Sequence, residues 1–125
     1  MSITTSRVMS IFLAILFCTI AGRAIAQMNF DSGNFMLPAC KALIEGPSAG
    51  PRLNVWAGQC AGVIDGLKWI GSSIEGSDKF CPPRVPPEQA QRVVVLYMEQ
   101  HPEQLHLDLK VLALRALQQA WPCPK

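Results

Sequence analysis

The chain has 125 residues, 50% of them hydrophobic and 16% charged, with 11 basic and 9 acidic side chains and a formal net charge of +2. That length suits one small domain, and so even a balance excludes the basic surface that a nucleic-acid or anionic-lipid binder needs. The excess lies wholly in the N-terminal segment, because removing Arg7 and Arg23 leaves basic and acidic residues equal in number.

That segment has the order of a secretory signal. Arg7 precedes the apolar run VMSIFLAILFCTIAG, and Ala24–Ala26 supplies the small residues that a signal peptidase accepts before Gln27. The run is too short, and too soon followed by polar sequence, to favour a permanent span, with an uncleaved anchor as the alternative. The reading is a signal peptide over residues 1–26 and a periplasmic domain over 27–125, with no membrane segment in the mature form. Cys18 follows the bulky Phe17 where a lipoprotein signal requires a small residue, so it is expected to leave with the leader. The remaining cysteines are Cys40, Cys60, Cys81 and Cys123. An even set in a small exported domain predicts two disulfides rather than a zinc site, and no pair has CxxC spacing.

In chain order, the mature part reads as helices. SGNFMLPACKAL begins with a capping residue, Ser32, and sets Phe35, Met36, Ala39 and Leu43 at helical spacing. Pro38 must lie near the first turn or kink this helix. EGPSAGPR, residues 45–52, is a loop by its glycines and prolines. From about Val55 to Ile74 the residues Cys60, Val63, Ile64, Leu67, Ile70 and Ile74 form one apolar stripe, with Gln59, Asp65, Lys68 and Ser72 off it. Gly58, Gly62 and Gly66 recur every fourth residue and predict a face where another backbone packs closely, or a ligand rests.

EGSDKFCPPRVPPEQ stops that helix, and Pro86 and Pro87 start the next, expected over Pro87–Gln100 despite the strand-like VVVLYM within it. The fourth helix is expected from about Pro102 to Trp121. Leu105, Leu109, Leu112, Ala116 and Ala120 form its inner face; Gln104, Asp108, Arg115 and Gln119 form its solvent stripe. The fold class is therefore all-α, a small four-helix bundle-like domain stapled by two disulfides after a cleaved signal peptide.

Chemistry-bearing patterns are scarce. His101 and His106 are spaced by five residues, which puts the rings on different faces of a helix, and the His-Glu-x-x-His spacing of a zinc protease is absent. Capping and surface hydrogen bonding are the expected roles. No serine lies in a GxSxG context, and cysteines that pair leave no thiolate nucleophile. The expectation is a protein with no catalytic, metal-ligating or cofactor-binding residues.

Several motifs together carry a resemblance. GNFMLPAC (33–40), CAGVIDG (60–66), FCPP (80–83), VVVLYMEQHPEQLH (93–106) and ALQQAWPC (116–123) occur in an order and spacing that resembles the Rap/Tai family of immunity proteins. Pro38 within the first motif, and Val63 where the family pattern carries an aromatic residue, are departures. The resemblance implies a small periplasmic helical protein that binds and inhibits a peptidoglycan amidase delivered by type VI secretion, and a homodimer, since related immunity proteins commonly pair. An envelope stress chaperone is the rival reading. It would be expected to carry many titrating groups at a subunit contact, and only two histidines are present.

Helical hairpins bring the end of one helix near the start of the next, which predicts Cys40–Cys60 and Cys81–Cys123, with the crossed alternative Cys40–Cys123 and Cys60–Cys81 left open. An inhibitor's contact surface is sought in exposed polar positions. The first choice is the loop Glu75–Phe80, through Glu75, Ser77, Asp78 and Lys79, because it contains glycine, carries both charge signs and is tethered by Cys81. Gln104 and His106 are the second choice. The plainer alternative for the loop is a solvated connection.

Overall fold

The computed structural model describes residues 28–46 and 51–124, with the backbone alone for 51–54. The expected signal peptide and Cys18 lie outside the described residues. Among the described residues there are four helices: α1 (Gly33–Glu45), α2 (Pro51–Ile70), α3 (Pro87–Gln100) and α4 (Leu109–Ala120). Two short 3₁₀ turns, Gly76–Asp78 and Pro102–Gln104, lie between them. Among the described residues there is no strand, only one isolated antiparallel bridge between Ser32 and Asp108.

Each helix buries the stripe that its spacing dictates. Met36, Ala39 and Cys40 of α1 and Ala57, Cys60 and Ile64 of α2 meet Ala90, Val94 and Met98 of α3 and Leu109, Leu112, Ala116 and Leu117 of α4. Phe80, contributed by a loop, is the largest fully buried side chain. No buried side-chain nitrogen or oxygen among the described residues lacks a partner. α1 and α2 pack as one hairpin and α3 and α4 as another, and the two hairpins pack across each other. Disulfides Cys40–Cys60 and Cys81–Cys123 form, with Cα separations of 5.5 and 4.8 Å. The hairpin pairing is the one observed, and the crossed alternative is not.

Four expectations need correction. The fourth helix does not run from Pro102: that proline starts only a 3₁₀ turn, and α4 begins at Leu109. The intervening backbone is engaged elsewhere. The Gly33 and Asn34 amides at the start of α1 donate to the Leu107 and Leu105 carbonyls, both at 2.8 Å, and the Leu109 amide donates to the Asp31 carbonyl at 2.7 Å. Those contacts also explain Ser32, which occupies the N-cap position of α1 but makes no side-chain cap. Amides that a capping side chain would satisfy already have main-chain acceptors, and the Ser32 hydroxyl turns back to donate to the Asn29 carbonyl at 2.8 Å.

The central helix starts at Pro51 and ends at Ile70, earlier at both ends than the apolar spacing suggests. Beyond Ile70, the ring of Phe80 lies where a Cβ on Gly71 would sit, and the Phe80 amide donates to the Gly71 carbonyl at 3.2 Å. This approach turns the chain out of the helix. The glycine face of α2 is the last correction. Among the described residues, nothing beyond the helix's own backbone lies within 4 Å of where a Cβ would stand on Gly58, Gly62 or Gly66, so no other described backbone packs there. Pro38, by contrast, is accommodated inside α1 on its exposed side, and the helix continues to Glu45.

Candidate functional site

The loop between α2 and α3 is built from two fixed points. Ile70 accepts the Ser73 and Ile74 amides, closing the end of α2, while Phe80 is sunk into the core and the Cys81 amide donates to the Trp121 carbonyl at 2.9 Å. Between them, Gly76 takes φ +79°, a left-handed backbone that favours glycine, and opens the 3₁₀ turn. A third tie comes from α4, where the Gln118 side-chain amide donates to the Ser77 carbonyl at 3.0 Å. Glu75, Ser77, Asp78 and Lys79 are all exposed on this tied loop. The result is a short exposed segment that is held at both ends and at Ser77, with carboxylates and an ammonium in contact with solvent.

Gln104 and His106 occupy the turn between α3 and α4. The Gln104 side-chain carbonyl accepts from the Tyr97 hydroxyl at 3.0 Å and from the Arg115 guanidinium at 2.9 Å. It is a half-buried junction that fixes Arg115 more than a group free to recognise a partner. His106 is exposed, and its Nδ1 lies 3.0 Å from the Glu103 carbonyl. Both candidate regions touch α4 one helical turn apart, the loop through Gln118 and the turn through Arg115. The two sets of residues therefore share one flank of the molecule, joined by α4.

Gln118 and Arg115 escaped sequence reasoning as contributors. Their signal was a pair of long polar side chains at i and i+3 beside an apolar helix face, which is present in most surface helices. His101, in contrast, is structural: its ring stacks on Tyr97 at 4.1 Å between centroids, and its Nδ1 lies 2.8 Å from the Tyr97 carbonyl. Among the described residues, no group of three His, Cys, Asp or Glu side chains could hold a metal ion. Three surface grooves among the described residues are not lined by the loop. One, between α1 and α3, is lined by Lys41, Arg92, Leu96 and Glu99. There the Lys41 ammonium meets the Glu99 carboxylate at 2.7 Å, and that hydrogen bond and charge raise the lysine pKa above its ordinary value.

Among the described residues the arrangement offers an exposed polar loop tied at three points beside a helix flank, and no set of groups converging on a reacting atom. That suits recognition of another macromolecule. No curated protein and no solved structure matches the chain. The family model of Rap1a immunity proteins matches residues 32–123, from the residue that precedes α1 to the last cysteine of the second disulfide. The described domain is thus covered almost from end to end, and the chain belongs to the Rap1a immunity protein family.

Proposed function

We propose that this immunity protein acts in the periplasm, as a pair of identical copies, and inhibits a peptidoglycan amidase delivered by type VI secretion. Membership of an immunity family implies a protein effector as partner. The amidase as target, the cleaved leader of residues 1–26 and the pairing of copies rest on the motif resemblance and on the signal-like N terminus. The reading assigns no chemistry to this chain. An inhibitor has to fill a cleft and exclude substrate, and a body already rigid when free loses little conformational freedom on binding.

The observation that carries the choice of surface is the triple tie on the loop Glu75–Phe80, through Phe80, Cys81 and the Gln118–Ser77 hydrogen bond. Glu75, Ser77, Asp78 and Lys79 would enter or cover the enzyme's cleft. Gln104 would hold Arg115 beside them, with His106 at the margin.

The test expresses candidate amidases in the periplasm with and without this protein, while intact mass of the exported chain reads the loss of residues 1–26. Wild type is expected to rescue growth. Purified Asp78→Ala/Lys79→Ala protein is expected to inhibit at least about tenfold more weakly, the loss of a modest charged contact. Absence of rescue against every neighbouring or family-related amidase would remove the immunity reading. Full inhibition by the double variant would remove only the loop.

A further inference from the structure

We infer that the outer face of α2 is the contact between two copies of this chain, as an antiparallel helix pair related by a two-fold axis at Gly62. The inference deepens the pairing proposed above and rests on that part of the reading.

The exposed large hydrophobic side chains among the described residues are Met28, Phe30, Val55, Trp69, Ile70 and Leu96. They are not scattered. Val55, Trp69 and Ile70 belong to α2, and Phe30 lies against it, stacked on Trp56 at 5.8 Å. Trp69 is 84% exposed and Val55 72%, so each leaves most of its apolar surface uncovered by the described chain. Such a concentration of apolar surface marks a contact site more often than it marks nothing.

Its layout identifies the occupant. Val55, Gly58, Gly62, Gly66 and Trp69 form a palindrome in position: a glycine lies four residues to either side of Gly62, and a large apolar residue seven to either side. At about 100° per residue all five fall within about 40° of one line along the helix, and that line is about 21 Å long. A two-fold contact requires one patch to complement itself, which an antiparallel pair achieves when the pattern is symmetric about its centre. With the axis at Gly62, Gly58 of each copy faces Gly66 of the other, and Trp69 of each covers Val55 of the other. The bare backbone at Gly58, Gly62 and Gly66, where a Cβ would meet nothing within 4 Å, lets the two helices approach closely.

The register rests on the apolar and glycine positions, not on charge. Asp65 is exposed on the outward face, and its mate by the same symmetry is Gln59, whose side-chain amide donates to the Asp31 carboxylate at 2.9 Å. The two Asp65 carboxylates stay about 9 Å apart along the axis and, like the Asp31 carboxylates, lie at the rim where water screens them. A heterologous partner would place no constraint on the spacing about Gly62. A single helix face buries a modest area, so the dimer is expected to dissociate in the micromolar range.

The test uses the mature protein with both disulfides intact and no effector. Sedimentation from about 1 to 100 µM is expected to show a reversible dimer, and Gly62→Leu is expected to raise its dissociation constant at least about tenfold with the melting temperature not lowered. Register is read by mild oxidation. Gly62→Cys lies opposite itself and is expected to cross-link to a covalent dimer; Gly58→Cys alone is not, but does so when mixed with Gly66→Cys. A wild type that stays monomeric throughout that range, or Gly62→Cys that links no faster than Gly58→Cys, overturns the inference. A monomer that still inhibits an amidase counts against pairing alone, while a dimer of this register that inhibits none counts against the proposed target alone.

Discussion

Gly71 and Gly58 bracket most of α2, yet an added methyl group would meet opposite surroundings at the two positions. On Gly71 it would enter the ring of the fully buried Phe80; on Gly58 it would enter open space. The ring belongs to a loop fastened by Cys81 and cannot withdraw without opening the core. Gly71→Ala is therefore expected to destabilise the protein by about 1–3 kcal/mol through overpacking. Gly58→Ala is expected to stabilise the monomer by up to about 1 kcal/mol, the difference in helix propensity between the two residues. Urea unfolding of both variants, at concentrations where the chain is monomeric, checks the pair. A shift of the same sign in both would show that the surroundings of one glycine are misplaced. Sequence could flag these glycines but could not sort them, since a recurrence every fourth residue reads alike whether the face meets a backbone or solvent.

At the scale of elements, local signals worked where neighbours agreed with them. α3 begins and ends where its flanks say, with prolines at its start and His101–Pro102 at its end, and tertiary contacts leave those limits alone. α4 starts later than its local pattern predicts, for a tertiary reason. Pro102 and Glu103 do start a turn, but the first amides of α1 take the carbonyls of Leu105 and Leu107, and no local pattern carries that information. The candidate loop was legible in the same uneven way: glycine, charge and Cys81 mark it, whereas its tie to Gln118 spans 41 residues and has no local trace.

The disulfides belong to this scale, because each closes one hairpin. Cys40–Cys60 spans 20 residues and Cys81–Cys123 spans 42. Loop-closure entropy gives about 3 kcal/mol for the first and about 4 kcal/mol for the second. Cys81→Ser/Cys123→Ser is expected to be the more damaging replacement, and to free the Glu75–Phe80 loop at its C-terminal end. Thermal melts of the two double variants, together with hydrogen exchange at Phe80 and Cys81, test this. Greater loss on opening Cys40–Cys60, with the loop still protected, would reverse the assignment.

At the scale of the whole molecule, each covalent staple lies within one hairpin, and none joins the α1–α2 hairpin to the α3–α4 hairpin. Their union depends on non-covalent contact: the core that Met36 and Ile64 share with Val94, Met98, Leu112 and Leu117, and the main-chain bonds from α1 to the Leu105–Leu107 turn. A hairpin alone would expose that apolar layer to water and could not offset the entropy of ordering its own chain. The two halves are therefore expected to fold and unfold together. Met98 is fully buried in α3 within this shared core, and Met98→Ala removes a side chain with little chance of collapse around it, at an expected cost of about 2–5 kcal/mol. The measurement is equilibrium unfolding of the oxidised protein, followed by far-ultraviolet circular dichroism for helix content and by tryptophan emission for packing. A single transition, displaced to lower denaturant and coincident for both probes, is the expected result. Separate transitions would show that a stapled hairpin holds its structure alone. The bridges would then be the main support of each half, and the tie between α1 and the turn before α4 would be a contact of the folded state with little part in stabilising it.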